Sequence, residues 1–172
     1  MSGEQEKLNV PVCQKKGELA PFAGALPPSA DTISDLICRE LIAEAKKMLP
    51  MAYAPYSGFQ VGAALLTASK KIYTGCNIEN AAFSPTVCAE RTAFFKAVSE
   101  GEREFTAIAV IGGKNGSPSD YTAPCGVCRQ VMAEFCNLQK FYVIIARSEE
   151  DYWLYRLDEL LPISFSPKNL GR

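Results

Sequence analysis

The sequence predicts an α/β fold in which one mixed sheet of about five strands lies between helices, forming a three-layer α-β-α sandwich. Segments of helical and strand periodicity alternate along the chain in the order α-β-β-α-β-α-β-β-α. Residues 105–111 form an almost unbroken apolar run, which is typical of a strand covered on both faces. The length of 172 residues is that of one domain, so a single sheet can account for the chain.

The first 30 residues differ from the rest of the chain. They are rich in proline, glycine and alanine, show no hydrophobic period and contain few large apolar side chains. Because such a segment buries too little apolar surface to fold, residues 1–30 are expected to form a disordered or extended arm. Residues 31–172 are expected to form a single folded domain.

The first helix is predicted to begin at Thr32, which with Asp35 offers a capping box, and to be closed by Pro50. Its apolar residues fall on one face: Ile33, Leu36, Ile37, Leu41, Ala45 and Met48. Two strands follow, over residues 59–68 and 71–76. The short polar turn between them predicts a hairpin.

The second half of the chain continues the alternation. A helix is predicted from Cys88 to about Glu100, where Gly101 ends it. After the strand at 105–111, the predicted elements are a polar loop over 112–123, a helix over 125–136, strands over 141–146 and 152–156, and a short helix over 157–161 stopped by Pro162. The 125–136 helix is expected to turn four side chains towards the core, namely Val127, Val131, Met132 and Phe135.

Three cysteines in two separate stretches predict a zinc site. The first stretch is Cys88-Ala89-Glu90, and the second is a Pro-Cys-Gly-Val-Cys run that contributes Cys125 and Cys128. Three thiolates leave the fourth tetrahedral position of zinc open for water, whereas a closed structural site uses four protein ligands. Three ligands with a carboxylate nearby therefore indicate a catalytic zinc, with Glu90 as the general acid–base residue. Both stretches are expected at helix N-termini, whose positive ends favour an anionic centre.

The same residues also have ordinary structural explanations. A lone Cys-x-x-Cys is shared by redox motifs and zinc ribbons, and Glu90 alone would be a solvated carboxylate in the first turn of a helix. Together with the upstream Cys-x-Glu, however, the pattern is the signature of zinc deaminases. Cys38, Cys76 and Cys136 are explained as small buried hydrophobes. A fourth ligand from Cys76 or Cys136 would instead make the site structural.

The composition excludes other kinds of function. The chain has no histidine, which excludes Ser-His-Asp triads, Cys-His nucleophiles and His-Glu-x-x-His metal helices. The net charge is −1 and no basic stripe is visible, so no nucleic-acid partner is expected. An odd number of cysteines, no secretory signal and no apolar run of membrane-spanning length predict a cytoplasmic protein without a membrane partner.

Three runs of sequence carry a resemblance to a known family. They are Cys76-Asn77-Ile78-Glu79-Asn80-Ala81-Ala82-Phe83, then Cys88-Ala89-Glu90-Arg91-Thr92-Ala93, and then Pro124-Cys125-Gly126-Val127-Cys128-Arg129-Gln130. With these runs in order, residues 31–167 resemble cytidine deaminase of the small, all-cysteine, homotetrameric zinc type. The resemblance implies zinc-dependent hydrolytic deamination of cytidine and deoxycytidine to uridine and deoxyuridine in pyrimidine salvage. It also implies that residues 31–172 are the catalytic domain and that the assembly is a homotetramer.

The resemblance further implies a set of substrate-binding residues. Within the subunit these are Phe59, Asn77, Glu79 and Ala89, and towards a neighbouring subunit they are Ala81, Phe83 and Phe165. Asn77 and Glu79 would bind sugar hydroxyls, Phe59 would pack against the nucleoside, and the backbone at Ala89 would contact the pyrimidine carbonyl. Without the resemblance, Asn77 is a turn former, Glu79 a surface carboxylate and Phe59 a core residue of a strand.

Arg91 is expected to offset the charge of the zinc site. Three thiolates on Zn²⁺ leave a net charge of −1, and helix ends supply only about half a charge each. Arg91 follows Cys88 by three residues, which puts both on the same side of a helix, and a guanidinium can donate hydrogen bonds to thiolate sulfur. The resemblance points to the same position. Considered alone, Arg91 would be a solvated arginine paired with a surface carboxylate.

Two other functions fit parts of the pattern. A zinc deaminase of a cytosine-containing antibiotic, such as blasticidin S deaminase, shares the three cysteines and the glutamate. A non-catalytic zinc-stabilised module would need the cysteines but not Glu90. The run Asn77-Ile78-Glu79-Asn80 resembles the ribose-binding motif and favours the nucleoside enzyme.

Overall fold

The computed structural model describes residues 33–171 and contains one five-stranded sheet with helices on both faces. The α-helices and strands, in chain order, are α1 Asp35–Lys46, β1 Phe59–Thr67, β2 Ile72–Cys76, α2 Ala89–Ser99, β3 Phe105–Lys114, α3 Gly126–Phe135, β4 Tyr142–Ala146, β5 Tyr152–Arg156 and α4 Leu157–Leu160. Two short 3₁₀ helices lie at Leu49–Met51 and Pro167–Leu170. The predicted order of elements is confirmed, and the arm predicted for residues 1–30 lies outside the described residues.

The sheet is mixed, with the strand order β2-β1-β3-β4-β5. The β1–β2 hairpin is antiparallel, as predicted, with Ala63 opposite Gly75. β1 and β3 are also antiparallel, β3 and β4 are parallel, and β4 and β5 are antiparallel. The parallel pair requires a crossover, and α3 lies within it.

Alternate residues of the strands pack on opposite faces of the sheet. On one face Leu65, Ile108 and Val143 form a buried cluster with residues of α2 and α3. On the other face the neighbouring residues Ala64 and Ala109 join a second cluster, which includes Leu41, Ile42 and Ala45 of α1. The middle of β3 is therefore buried on both sides, and the predicted three-layer sandwich is confirmed.

The start and end of α1 differ from the prediction. Its N-cap is Ser34, whose side-chain oxygen accepts a hydrogen bond from the backbone N–H of Ile37. The helix therefore begins later than predicted, with Ser34 as its N-cap, and Thr32 lies outside the described residues. The helix ends at Lys46, and Pro50 lies inside the following 3₁₀ helix, where a proline in the first turn loses no hydrogen bond.

Two side chains predicted to face the core are exposed. Leu36 is 77% exposed, because the buried face of α1 is centred on Cys38, Leu41 and Ile42. Val127 is 58% exposed, because Cys128 and Met132 occupy the buried side of α3. In both helices apolar residues extend around more than one face, so their periodicity alone misplaces the buried face.

β3 continues three residues further than predicted, to Lys114. Gly112 and Gly113 pair with Val61 and Gln60 of β1, although the glycines suggested a loop. A Cβ at Gly113 would lie 2.1 Å from the carbonyl oxygen of Ser117, which folds back over the strand end. Glycine is required there by close backbone approach rather than by a turn.

None of the helices in the described part of the chain is long and apolar enough to cross a membrane.

Candidate active site

The three predicted metal ligands converge where two helices begin. Cys88 is the N-cap of α2, Cys125 is the N-cap of α3, and Cys128 lies in the first turn of α3. The sulfur atoms of Cys88 and Cys125 are 3.8 Å apart, and those of Cys125 and Cys128 are 3.5 Å apart. All three sulfurs lie within 4.8 Å of one another, so the structure brings together the three residues predicted as metal ligands.

The donor set fits zinc. A tetrahedral zinc ion with Zn–S bonds of about 2.3 Å places its sulfur ligands about 3.8 Å apart, which is close to the separations observed here. The hydrogen bond with the Cys128 thiol, supported by Arg91, lowers the pKa of Cys88 to about 5. The hydrogen bond with Cys88, together with burial, raises the pKa of the Cys128 thiol. One thiolate is thus already favoured before any metal is added.

Other cysteines of the described chain lie elsewhere. The Cys76 thiol donates to the carbonyl oxygen of Met51 at 3.4 Å. Cys136 is eight residues beyond Cys128, about 12 Å along the axis of α3, and burial raises its pKa. Cys38 is 1% exposed on the opposite face of the sheet. All three pack as small buried hydrophobes, and the alternative of Cys76 or Cys136 as a fourth ligand finds no support in the geometry.

Arg91 contacts the thiol cluster. Its Nη2 atom lies 3.6 Å from the Cys88 sulfur and donates to the carbonyl oxygen of Thr86 at 2.9 Å. The Nε atom is buried and has no hydrogen-bond partner in the described structure. The predicted placement beside Cys88 is present, and the charged guanidinium is held at the sulfur rather than in solvent.

Glu90 is buried beside the thiols. Its side chain is 4% exposed in the first turn of α2, so the solvated alternative does not apply. Burial raises the pKa of its carboxyl to about 7, and the negative charge of Cys88 adds to the shift. A carboxyl with such a pKa exchanges protons readily near neutral pH, as a general acid–base residue must.

A cavity of about 170 Å³ opens onto this cluster. Its walls include six predicted site residues: Asn77, Glu79, Cys88, Ala89, Glu90 and Cys125. Ala89 is fully buried at the first position of α2, where a backbone N–H has no partner within the helix. Because Ala89 borders the cavity, the start of α2 can offer a backbone donor to a ligand there.

Asn77, in the cavity wall, is hydrogen-bonded to the backbone of Phe59. The Asn77 amide donates to the Phe59 carbonyl oxygen at 2.9 Å and accepts from the Val61 N–H at 2.8 Å. These two hydrogen bonds fix the Asn77 side chain to the backbone of β1, so Asn77 is more than a turn former. The Phe59 ring is 40% exposed at the start of β1, outside the cavity wall, so it is not a core residue.

Glu79 also has defined partners. Its carboxylate accepts hydrogen bonds from the backbone N–H groups of Tyr56 and Ser57 and from the Ser57 hydroxyl. The Ser57 hydroxyl, followed by the Tyr56 N–H, holds the pKa of Glu79 below its usual value. Glu79 is therefore an anchored anion in the cavity wall.

Three further predicted substrate residues, like Phe59, do not line the cavity. Ala81, Phe83 and Phe165 are exposed, with Phe83 at 72% and Phe165 at 62%. Phe83 has a positive φ of 57° and its ring lies 6.0 Å from that of Tyr56. Within one chain none of the three reaches the thiols, so their roles remain predictions about a neighbouring subunit.

The cavity has further lining residues that sequence reasoning missed. They are Val61, Thr86, Val87, Thr122 and Ala123. Thr122 and Ala123 directly precede Pro124, so their position beside a metal ligand was the signal that could have identified them. Thr122 donates to the carbonyl oxygen of Gly112, which ties this segment to the end of β3.

Comparison with known proteins agrees with this geometry. The family model described as the cytidine and deoxycytidylate deaminase zinc-binding region matches residues 37–145. The chain belongs to this deaminase family. A cytidine deaminase of Sporosarcina psychrophila is 53% identical over 77% of this chain and 93% of its own length. Another, from Halalkalibacterium halodurans, is 47% identical over 76% of this chain and 96% of its own.

Solved structures of deaminases match the fold. A cytidine deaminase from Burkholderia pseudomallei superimposes with a TM-score of 0.67 at 44% identity, covering 73% of this chain and 97% of that one. A cytidine deaminase from Mycobacterium tuberculosis gives a TM-score of 0.63 at 34% identity, covering 73% and 94%. The zinc-binding region of the family model includes all three clustered cysteines.

Proposed function

We propose that this deaminase converts cytidine and deoxycytidine to uridine and deoxyuridine, releasing ammonia, as a zinc enzyme of pyrimidine salvage. One observation carries the proposal: three thiols cluster with zinc-like spacing, and two of them, Cys88 and Cys125, line the same cavity as the buried carboxyl of Glu90. Similarity to curated cytidine deaminases supports the same reaction.

The residues of the site divide the chemistry between them. When bound, zinc acts as a Lewis acid and lowers the pKa of a water molecule in its open fourth position. Cys88, Cys125 and Cys128 hold the ion. Glu90 accepts a proton from the attacking water and delivers it to N3 of the pyrimidine. It then accepts the remaining proton of that oxygen and passes it to the departing amine, so that the C4 carbonyl forms as ammonia leaves. The Ala89 N–H orients the ring by donating to its carbonyl oxygen.

The other end of the cavity supports binding of an unphosphorylated sugar. Asn77 and Glu79 line it with an amide and an anchored carboxylate, and the Asn77 amide donates to the carbonyl oxygen of Phe59. A carboxylate accepts from hydroxyl donors and repels a phosphate of like charge. A site built to hydrogen-bond a sugar also discriminates strongly against a substrate that lacks one, because its buried polar groups are then left unpaired.

Cytidine turnover by the zinc-loaded protein tests this function. Loss of cytidine absorbance with equal release of ammonia is expected, with deoxycytidine also accepted and free cytosine and the monophosphate poor. Efficiency with free cytosine equal to that with cytidine, or preference for the monophosphate, contradicts the substrate assignment. No turnover of any of them supports the non-catalytic module. Turnover confined to a cytosine-containing antibiotic supports that related class.

A homotetramer is part of the same proposal. Large apolar side chains are exposed around the start of α3 and in the C-terminal segment, including Val127, Ile163 and Phe165. The Gln130 side-chain amide on α3 donates a hydrogen bond to the carbonyl oxygen of Phe165. Neighbouring subunits would cover this surface and bring Phe83 and Phe165 to adjacent sites. We also propose a cytoplasmic location, supported by free thiols at all six cysteines of the described chain.

A further inference from the structure

The carboxylate of Glu79 is held by the loop that precedes β1. Oε2 accepts from the backbone N–H of Tyr56 at 2.9 Å and from that of Ser57 at 3.3 Å, while Oε1 accepts from the Ser57 hydroxyl at 2.5 Å. These are charge-assisted hydrogen bonds from groups more than twenty residues away in the chain. The side chain therefore has one preferred orientation in the cavity wall.

The three hydrogen bonds leave little capacity for a ligand. An ionised carboxylate offers about four acceptor positions, two on each oxygen. Among the contacts made by the described residues, both positions on Oε2 and one on Oε1 of Glu79 are occupied. The single remaining position is on Oε1. Glu79 can therefore accept from one further donor, such as one hydroxyl of a sugar.

The Ser57 hydroxyl also connects the other sugar-side residues. It accepts a hydrogen bond from the Phe59 N–H at 2.9 Å, so its own proton is directed to Glu79. The Phe59 carbonyl oxygen in turn accepts from the Asn77 amide at 2.9 Å. One hydroxyl thus joins Glu79, Phe59 and Asn77 in a continuous chain of hydrogen bonds. Gly58, with a φ of 65°, allows the tight turn between Ser57 and Phe59.

We propose that Ser57 is a positioning residue that gives the site its selectivity for one sugar hydroxyl. It orients Glu79 so that the last acceptor position on Oε1 points at that hydroxyl, and through the Phe59 N–H it ties the loop before β1 to the start of that strand. This inference rests on the proposed function, because the hydroxyl belongs to a nucleoside substrate. Ser57 acts through Glu79, so it alters substrate binding and leaves the proton transfers at Glu90 unchanged.

Steady-state kinetics of Ser57→Ala on the zinc-loaded protein test the proposal. Loss of a charge-assisted hydrogen bond is expected to raise KM for cytidine about tenfold. Because Glu90 is untouched, kcat should stay within about twofold of the original and zinc content should not change. Ser57→Thr keeps the hydroxyl and should restore most of the KM. Ser69→Ala, which removes a serine that contacts Glu102 at the far end of the hairpin, should behave like the unaltered protein.

Two comparisons separate positioning from a general structural effect. In a Glu79→Ala background, Ser57→Ala should cause no further change in KM, because its effect passes through Glu79. Among the 2′-, 3′- and 5′-deoxy analogues of cytidine, the analogue lacking the partner hydroxyl should show equal KM in both proteins. An unchanged KM in Ser57→Ala, the same loss in the Glu79→Ala background, or an equal loss with every analogue overturns the inference. If the unaltered protein turns over no cytosine nucleoside, the proposed function fails and the inference fails with it.

Discussion

At the scale of single residues, charge is the quantity that the metal centre must balance. Three thiolates outweigh the two positive charges of zinc, and each helix N-terminus contributes only about half a charge. Arg91 lies 3.6 Å from the Cys88 sulfur and has a buried guanidinium Nε, so it is placed to supply the missing positive charge. Its pKa is raised by hydrogen bonding to Cys88 although burial opposes this, so it remains charged.

Replacing Arg91 should therefore weaken the centre without unfolding the protein. In Arg91→Gln we expect weaker zinc retention during chelator titration, or an alkaline shift of the pH–rate profile, because uncompensated thiolate charge disfavours ionisation of the bound water. Arg39→Gln is the matched control, since Arg39 lies on α1 and pairs with Asp35 at 2.7 Å. Zinc affinity and a pH profile both equal to those of the unaltered protein would show that Arg91 does not compensate the site.

The sequence identified the clustered cysteines and the buried Glu90 but not the residues that position Glu79. Cys88, Glu90 and Cys125 stand in motifs whose spacing reflects helix geometry, so they could be predicted without a structure. The partners of Glu79 come from a loop over twenty residues earlier, and no local pattern marks Ser57 as its neighbour. Contacts between distant segments depend on the register of β1 and β2, which spacing does not provide.

At the scale of elements, the close contact between α2 and β2 positions Cys88 and Glu90. Gly75 of β2 lies so close to α2 that a Cβ there would be 2.4 Å from the carbonyl oxygen of Ala89 and 2.6 Å from the backbone nitrogen of Ala93. The Thr92 hydroxyl donates to the Cys76 carbonyl oxygen at 3.0 Å across the same contact. The first turn of α2 thus rests directly on the strand, with Cys88 and Glu90 at its start.

Gly75→Ala should separate these two elements. Because backbone atoms cannot yield easily, we expect the free energy of unfolding to fall by about 1–3 kcal/mol, together with faster loss of zinc. Gly126→Ala is the control. Apart from its chain neighbours and the backbone of its own helix, no atom lies within 4 Å of an added Cβ, so the free energy of unfolding should change by no more than about 1 kcal/mol. Urea titration of both variants measures the effect. Equal stabilities would show that the contact between β2 and α2 is not tight.

The buried faces of helices and the ends of strands were less predictable than the order of the elements. Leu36 and Val127 belong to correctly predicted helices, yet each lies on the exposed side. Which apolar face of a helix is buried depends on the sheet against which it packs, and α1 has apolar residues on more than one face. The extension of β3 over Gly112 and Gly113 is likewise decided by pairing with β1, since glycine alone favours a loop.

At the scale of the whole molecule, the alternation of periodic segments was sufficient to predict one mixed sheet within a three-layer sandwich. The strand order β2-β1-β3-β4-β5 was not predicted, because it depends on which strands pair across the crossover containing α3. The pairing of β1 with β2 was the one strand pairing that could be predicted, because a short turn between two strands favours an antiparallel hairpin.

Assembly can be tested on the intact protein. Light scattering at assay concentration should give about four times the mass of one chain. Phe165→Ser should shift the protein towards smaller species and reduce activity. The Phe165 ring is exposed in the single chain, and the variant removes the apolar contact that this ring is proposed to make with a neighbouring subunit. Leu36→Ser, at an exposed position on α1, serves as the matched control. A fully active monomer would remove Phe83 and Phe165 from the site.

We propose that Glu90, beside a zinc ion held by Cys88, Cys125 and Cys128, transfers the protons of cytidine deamination. The most direct measurement is the turnover of cytidine by zinc-loaded Glu90→Gln, with zinc content determined on the same sample. We expect zinc content and fold to be retained while kcat falls at least about a hundredfold, the lower end for general acid–base catalysis. Near-normal turnover with zinc bound would contradict the role of Glu90 and the mechanism built on it.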